Sequence, residues 1–351
     1  MCVTDHNPNP ANQHPSANGN GTRRSSVSPD TVLNLEQGDP AVFEPYWKKM
    51  GDKCTMVISG SQWMSYISDF NNTCWFLEPE LEGAVRRLHR TVGNAVVDDD
   101  RHIVVGTGST QLYQAALYAL TSPVDLSRSV SCLPLLTTRH IQMRRTISVQ
   151  GFTDGQYTTI TAPVDQEIMY FTFSKSTGHA GSRIGWAIVK DKEIAIKMSK
   201  FVELSSLGVS KDSQQRAAKI MGVICDGYQN CKAKNSELFF EHCQKLMAQR
   251  WERLREVVER NEFFSLPKYP KEYCLFSGEF NEPHPAFAWL KCEEDIDLEK
   301  FLRGCIKVQG RSGRKFGTDQ KYVRISMLSK DEVFDQFLER LPTVKAISNG
   351  Y

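Results

Sequence analysis

A lysine and an arginine eight residues apart are the side chains in this sequence best placed to do chemistry. An aromatic and β-branched run, residues 170–173, leads through Ser174 to Lys175, and a loop with two glycines then leads to Arg183. We interpret this stretch as strand, loop and strand, because an apolar run resumes at Ile184. A lysine at the end of a buried strand is poorly hydrated, so its amine can lose its proton near neutral pH. The pattern therefore indicates a nucleophilic lysine suited to a Schiff base.

The arginine adds a group that can hold a phosphate. Arg183 offers a planar, two-pronged donor that matches phosphate oxygens. A lysine that binds an aldehyde beside an arginine that holds a phosphate is the combination that pyridoxal phosphate (PLP) requires. The alternative is a surface hairpin in which Lys175 and Arg183 are only solvated, as charged side chains usually are.

A glycine-rich turn gives a second candidate phosphate site. Residues 106–110 follow a strand predicted over 101–105 and precede a helix predicted over 111–120. This arrangement directs backbone N–H groups and hydroxyl groups at an anion. The same motif also serves ordinary turns between strands and helices, and it lacks the Gly-Lys-Ser/Thr of a Walker loop.

Composition and charge restrict the class of protein. The chain has 351 residues, 40% hydrophobic and 24% charged, which is enough for one large core or two moderate ones. Its net charge of +2 does not support binding to nucleic acid or to an anionic membrane. The ten cysteines contain no CxxC pair, so neither a zinc ribbon nor thioredoxin chemistry is indicated. Without a membrane-spanning run or a signal-peptide pattern, we expect reduced thiols and a cytoplasmic location.

The remaining pattern is mainly helical, with strands near the C-terminus. In the strand predicted over 322–327, Tyr322, Arg324 and Ser326 share one face, which makes Arg324 a candidate for binding a carboxylate. The alternative is a solvated strand arginine. A short strand is predicted to begin at Asn34 and to turn at residues 38–40, and another strand is predicted over 287–290. Other helices are predicted over residues 44–50, 78–92, 192–204, 210–221, 236–259, 297–303 and 330–340.

Five stretches of the sequence resemble the plant alliinase and tryptophan aminotransferase family. They are residues 78–82, 104–111, 171–175, 178–186 and 323–328, and the likeness extends over about residues 33–125 and 160–345. The resemblance implies a fold type I PLP enzyme, usually a homodimer. Its large domain would be α/β with a mainly parallel sheet, and its smaller α+β domain would contain both chain ends.

The resemblance also implies domain boundaries. Residues 1–30 are expected to be a disordered tail, since they are rich in Asn, Pro, Ser and Gly. Residues 31–50 would begin the small domain, 51–261 would form the large PLP-binding domain, and 262–351 would complete the small domain.

Individual residues acquire roles from the same resemblance. It implies that Lys175 is the Schiff-base lysine and that Arg324 holds the substrate carboxylate. Tyr66 matches a tyrosine that touches the cofactor across the dimer interface. The other implied cofactor contacts are Ser109, Thr110, Ser174 and Arg183 around the phosphate, and Thr172 and Phe173 beside the cofactor.

The implied activity is amino-group transfer between an amino acid and a 2-oxo acid. The family resemblance favours conversion of L-tryptophan and pyruvate to indole-3-pyruvate and alanine, in auxin biosynthesis. Two alternatives stay open. One is an alliinase-type C–S lyase that uses the same lysine, and the other is a catalytically impaired variant.

The middle of the chain departs from the family pattern. No asparagine lies between Gln111 and Ser174, so the family's Asn-Pro motif is missing. The family's Asp and Tyr, which bind the pyridine nitrogen and ring hydroxyl, have no clear match. Asp154 and Tyr157 have the right mutual spacing, but their neighbours differ. We expect residues 127–160 to be atypical and poorly ordered.

Overall fold

The structure is a computed structural model that describes residues 28, 30–121, 147–148, 160, 162–229 and 238–344. Almost all of the expected tail, residues 1–30, lies outside these residues, as does most of the segment 127–160. Asp154 and Tyr157 lie outside them too. The expectations for these segments therefore remain predictions.

Nine α-helices occur among the described residues. The predicted helices are all present, but the helix that begins at Lys211 runs to Gln229, well past its predicted end at Met221. Ile224 and Cys225 in the added turns are buried, and their packing outweighs the cost of a helical glycine at 222. The helices are α1 Glu44–Met50, α2 Pro79–Val92, α3 Ser109–Leu120, α4 Phe173–Ser176, α5 Lys192–Ser206, α6 Lys211–Gln229, α7 Phe239–Asn261, α8 Leu298–Ile306 and α9 Asp331–Arg340.

Twelve strands are present in the same part of the chain. They form two four-stranded sheets with the orders β2-β5-β4-β3 and β11-β12-β9-β6, and two pairs, β1-β10 and β7-β8. The strands are β1 Leu33–Asn34, β2 His102–Gly106, β3 Ile147–Ser148, β4 Ile168–Thr172, β5 Gly185–Val189, β6 Phe264–Ser265, β7 Glu272–Cys274, β8 Glu279–Asn281, β9 Phe287–Cys292, β10 Val308–Gln309, β11 Arg311–Ser312 and β12 Tyr322–Ser326.

The sheet that contains β4 is mixed, and three of its four strands, β2, β3 and β4, run in the same direction. β5 pairs antiparallel with both β2 and β4, while β3 pairs parallel with β4. The connection between β4 and β5 consists of one helical turn and tight turns, so the chain returns beside the strand it has just left, without a crossover helix. β2 and β4 still run in the same direction. Their last residues, Gly106 and Thr172, both lie opposite Gly185.

Lys175 lies in the short helix α4, so its expected position at the end of a strand was wrong. The Thr172 side chain caps this helix by accepting a hydrogen bond from the Ser174 N–H at 3.3 Å. The Thr177 N–H then bonds to the Phe173 carbonyl at 3.3 Å, which closes the helical turn. These bonds turn the chain immediately after β4, because a side-chain cap is available there.

The second large sheet joins the N-terminal segment to the C-terminal strands. In β12, Val323 and Ile325 are buried while Arg324 is half-buried, as the predicted alternation requires. The Ser326 N–H donates to the Leu35 carbonyl at 2.9 Å, which attaches the segment after β1 to this sheet. The domain boundaries predicted from the resemblance remain predictions. No described helix has the length and apolar character needed to cross a membrane.

A buried histidine links α2 to the first sheet. His89 is fully buried, and its Nε2 accepts a hydrogen bond from the Trp186 indole N–H at 2.9 Å. Its Nδ1 lies 2.8 Å from the Asn94 side-chain oxygen, so the neutral ring with a proton on Nδ1 satisfies both partners. Burial lowers the pKa of His89 to about 4. This side chain is therefore part of the core and remains neutral at physiological pH.

The low pKa of His89 predicts acid sensitivity. Between pH 6.5 and about 4 the unfolded chain binds a proton here that the folded protein does not bind. The free energy of unfolding should therefore decrease as the pH falls through this window, on the order of 3 kcal/mol in total from this group. Urea unfolding followed by circular dichroism at several pH values would measure it.

The His89→Gln variant should show a shallower pH dependence than the unmodified protein. His179 also has a pKa near 4, lowered by burial, so His179→Gln should remove a second part of the slope. Equal slopes in the unmodified protein and His89→Gln would contradict the prediction.

Candidate active site

The glycine-rich turn lies directly against the start of β5. A Cβ atom on Gly185 would come within 2.8 Å of the Ser109 backbone nitrogen and 2.9 Å of the Gly108 carbonyl carbon. Real Cβ atoms do not approach other atoms so closely, so residue 185 must be glycine for this contact to exist. The close approach brings the N-terminus of α3 to the end of β4, where the lysine helix begins.

Arg183 lies against the same turn. Its backbone is in the left-handed region at φ +50°, which is unusual for a residue with a side chain. Its guanidinium donates to the Ala180 carbonyl at 3.1 Å and to the Ser174 hydroxyl at 3.4 Å. A Cβ atom on Gly108 would be 2.7 Å from Arg183 Nη2. The turn, Ser174 and Arg183 thus form one cluster, and Thr110 lies exposed in the first turn of the adjoining α3.

The Lys175 amine is half-buried and packs against the backbone of the N-terminal segment. A Cβ atom on Gly38 would lie 3.0 Å from Lys175 Nζ. Burial is the main cause that lowers the pKa of Lys175, and Asp39 opposes this effect. The positive charges of Arg324 and Arg183 lower the pKa of Lys175 further. The pKa of Lys175 is thus shifted in the direction that the sequence suggested, and a lower pKa favours the neutral, nucleophilic amine.

Arg324 is joined to the lysine through an aromatic ring. The Phe287 ring lies 4.0 Å from the Arg324 guanidinium carbon, and a Cβ atom on Gly38 would be 2.6 Å from Phe287 Cζ. Arg324 Nη2 also donates to the Glu36 carbonyl at 2.9 Å. A chain of spatial contacts thus runs from Lys175 past Gly38 and Phe287 to Arg324. Sequence reasoning assigned Phe287 only to a strand and Gly38 only to a turn, and neither residue was predicted to belong to the site.

Three other predicted site residues have different surroundings. Phe173 is buried and stacks on His179 with ring centres 5.3 Å apart, while the Thr172 hydroxyl is occupied as the cap of α4. Tyr66 is 59% exposed and its ring contacts Trp75 edge-on at 5.9 Å. None of the described contacts joins Tyr66 to Lys175 within one chain.

The loop between α4 and β5 is held on its other side by α1. Trp47 donates its indole N–H to the Thr177 carbonyl at 2.6 Å, and its ring lies 4.8 Å from that of His179. The Thr177 hydroxyl is 2.9 Å from His179 Nδ1. The loop borders an open cleft of about 580 Å³, whose other walls include Asp39 and Arg216. Sequence reasoning missed Trp47 and His179, which brace the lysine helix from the cleft side.

The described residues fit the phosphate and the aldehyde of PLP. The N-terminus of α3 and Arg183 together offer backbone and guanidinium donors to an anion. Gly108 leaves the space that brings this guanidinium against the turn. Lys175 supplies a poorly hydrated amine for an aldehyde. No cluster of metal-ligating side chains occurs in the described part of the chain.

The pyridine side of the site is less complete. Of the acids between Gly108 and Lys175, Asp165 is bound by Arg101 and Lys190, both at 3.0 Å, and Glu167 is exposed just before β4. Asp125 and Asp154 lie outside the described residues. Among the described residues of this stretch, none therefore replaces the acid that the family pattern requires at the ring nitrogen.

Comparison with known proteins identifies relatives along most of the chain. A family model described as allinase matches residues 33–142 and 142–345. Tryptophan aminotransferase-related protein 2 from Oryza sativa subsp. japonica is 42% identical over 92% of this chain and 76% of that protein. The protein of the same description from Arabidopsis thaliana is 45% identical over 89% of this chain and 81% of its own length. Alliin lyase from Allium cepa is 28% identical over 90% and 79%.

The same comparisons support a shortened middle segment. The family match is broken at residue 142, inside the atypical segment 127–160. The alignment with the rice protein also runs over 385 residues, more than the 351 that this chain contains. Some positions of the relative therefore have no counterpart here.

Solved structures with the same fold are aminotransferases. The structure of a putative kynurenine aminotransferase from Saccharomyces cerevisiae matches with a TM-score of 0.62 at 11% identity, over 90% of this chain and 92% of that chain. An aromatic aminotransferase from Pyrococcus horikoshii matches with a TM-score of 0.58 at 17% identity, over 92% and 97%. At such low identity these matches show the fold alone. Together with the family match, they show that this chain belongs to the allinase family and is an enzyme with the fold type I architecture of the PLP-dependent aminotransferases.

Proposed function

We propose that this enzyme binds PLP and transfers the amino group of L-tryptophan to pyruvate, which yields indole-3-pyruvate and alanine for auxin biosynthesis in the cytoplasm. The observation that carries the proposal is the half-buried Lys175, whose pKa is lowered by burial and by Arg324 and Arg183. These two arginines suit the two anionic groups that a PLP aminotransferase must hold, the cofactor phosphate and the substrate carboxylate. The names of the rice and Arabidopsis relatives support tryptophan as the amino donor.

Each part of the site has a proposed task. Bound PLP supplies an aldehyde and a ring that accepts electron density. Lys175 would hold the cofactor through its amine, and the same amine would move the proton at the substrate Cα. Arg324 binds the substrate carboxylate as a planar donor. The phosphate contacts are assigned to Ser109, Thr110, Ser174 and Arg183, and Thr172 and Phe173 are assigned to the cofactor's surroundings.

Tyr66 is proposed to act on the cofactor of a second copy of the chain in a homodimer. Its 59% exposure within one chain leaves the ring accessible to such a partner. Analytical ultracentrifugation would measure the oligomeric state. A monomer at micromolar concentration would remove the basis for this assignment.

A second candidate function is β-elimination at a C–S bond. The likeness to alliin lyase favours it, and the same lysine would serve. Mass spectrometry separates the two reactions, because transfer from tryptophan produces alanine from pyruvate, whereas elimination from a cysteine S-conjugate releases pyruvate and ammonia. Alanine formation without elimination would support the aminotransferase, and the reverse result would overturn it.

The first prediction from the proposed function concerns Lys175. Lys175→Ala should abolish the visible absorbance of lysine-bound PLP and borohydride trapping of the cofactor, because no other amine occupies that position. The helical content of the fold should change little. Lys300→Ala, at a surface lysine with 84% of its side chain exposed, should retain both signals. Retention of the absorbance in Lys175→Ala would end the assignment.

The second prediction concerns the phosphate. Arg183→Lys keeps the charge but loses the planar fork, so the dissociation constant for PLP should rise by the equivalent of about 1.5–3 kcal/mol. Fluorescence titration of the cofactor-free protein would measure it. Arg253→Lys, at a half-exposed surface position, is the matched control and should bind normally. An unchanged dissociation constant in Arg183→Lys would show that the phosphate binds elsewhere.

The third prediction is that this chain is a poor catalyst even when it holds PLP. A carboxylate next to the pyridine nitrogen raises its pKa and keeps it protonated, and each 1.36 kcal/mol of lost transition-state stabilisation costs tenfold in rate. We expect kcat with tryptophan to be several orders of magnitude below that of a version carrying the family's full middle segment. Comparable kcat values would instead indicate that Asp154 and Tyr157 replace the missing contacts.

A further inference from the structure

Two arginines stand directly opposite each other in the second large sheet. In the antiparallel pairing of β11 with β12, Arg311 lies opposite Arg324, and Trp289 of β9 lies opposite Arg324 on its other side. Like charges at directly opposite positions repel. The Glu36 carboxylate relieves part of this repulsion, since it lies 3.5 Å from Arg311 Nε. Something else must hold the Arg324 guanidinium in one orientation.

Two aromatic rings lie against this guanidinium. The Arg324 guanidinium carbon is 4.0 Å from the ring centre of Phe287 and 4.8 Å from that of Phe316. We call these two residues the aromatic pair. The guanidinium donates through Nη2 to the Glu36 carbonyl, while its Nε is buried and has no hydrogen-bond partner among the described residues. A single backbone hydrogen bond leaves the group free to pivot, so its orientation depends on the rings.

The contacts of Phe316 are mainly with the two arginines and Trp289. It ends a short 3₁₀ turn, Gly313–Phe316, which closes on Gly317 in the left-handed region at φ +76°. Its ring is 39% exposed and meets the Trp289 ring edge-on at 5.1 Å. The Arg311 guanidinium carbon also lies over this ring, at 5.7 Å. Phe316 thus contacts both opposed arginines from the open side of the sheet and contributes little to the buried core.

We propose that the aromatic pair positions Arg324 for the substrate carboxylate. The rings hold the guanidinium plane by cation–π contact and counter the repulsion from Arg311, so that the planar donor is already oriented before a carboxylate binds. Phe287 and Phe316 are positioning residues that act through Arg324. The inference rests on the proposed role of Arg324. Phe316 is the better residue to test, because Phe287 also packs against Gly38 beside the lysine amine.

The test compares Phe316→Leu with Phe316→Tyr, which retains a ring. The probe is 3-indolepropionate, a carboxylate without an amino group, and its affinity for the PLP-loaded protein is measured by calorimetry. Phe316→Leu should weaken binding about three- to tenfold and raise KM for tryptophan by a similar factor, with kcat and PLP affinity unchanged. Phe316→Tyr should leave the affinity for the probe and the KM for tryptophan as they are in the unmodified protein. Phe280→Leu, at a phenylalanine that is 70% exposed on β8, is the matched control and should bind normally.

The Arg324→Ala variant tests the carboxylate site separately from the positioning role of Phe316. If Arg324→Ala abolishes probe binding while Phe316→Leu binds as the unmodified protein does, the positioning role is overturned and the carboxylate site stands. If Arg324→Ala leaves binding unchanged, the carboxylate site itself is wrong and the positioning role is overturned with it. A lowered kcat with unchanged KM in Phe316→Leu would also overturn it, since orientation of a binding group should change affinity. Thermal unfolding of each variant excludes loss of fold as the cause.

Discussion

The packing of the Lys175 amine against Gly38 joins the two parts of the site. Lys175 follows a strand of the first sheet, whereas Gly38 follows Leu35, whose carbonyl is bonded to β12 in the second. A side chain at position 38 would meet both Phe287 and the lysine amine at or below the distance that real Cβ atoms tolerate. The absence of a side chain therefore allows the amine to approach the aromatic ring that contacts Arg324. One glycine thus limits how closely the Lys175 amine and the Phe287 ring approach each other.

Burial and the neighbouring charges together lower the pKa of the Lys175 amine. Removal from water and two guanidinium groups lower the pKa of Lys175, and the Asp39 carboxylate raises it. Asp39 is exposed at the cleft, and its effect on the pKa of Lys175 is smaller than that of burial but larger than that of either arginine. A phosphate and a substrate carboxylate would bring negative charge to both arginines. The two cations that lower the pKa of Lys175 are thus the same groups that are proposed to bind the phosphate of the cofactor and the carboxylate of the substrate.

The sequence motifs predicted the class of chemistry better than they predicted the local secondary structure. Lys175, Arg183 and the turn before α3 were recognisable from residue types and spacing, because a buried lysine and a phosphate-binding arginine are rare in combination. The capped helix α4 was missed, since Thr172 reads equally well as the last residue of a strand. Phe287 was not found because its contact with the lysine neighbourhood depends on the pairing of distant segments. The fold class came from the resemblance, and the mixed sheet follows from a connection whose turns only the structure shows.

The residues that are proposed to hold PLP and the ring contacts of the family pattern belong to different stretches of chain. The proposed phosphate contacts lie just after the ends of β2 and β4 and before β5, and the proposed carboxylate contact lies on β12, so all of them are outside residues 127–160. The ring contacts of the family pattern would come from that middle stretch, where the family match is broken. Loss of those contacts leaves the anchoring groups and their spacing in place. Binding of the cofactor and the rate of amino transfer should therefore be separable in this chain, because the first depends on the sheet edge and the second on the missing segment.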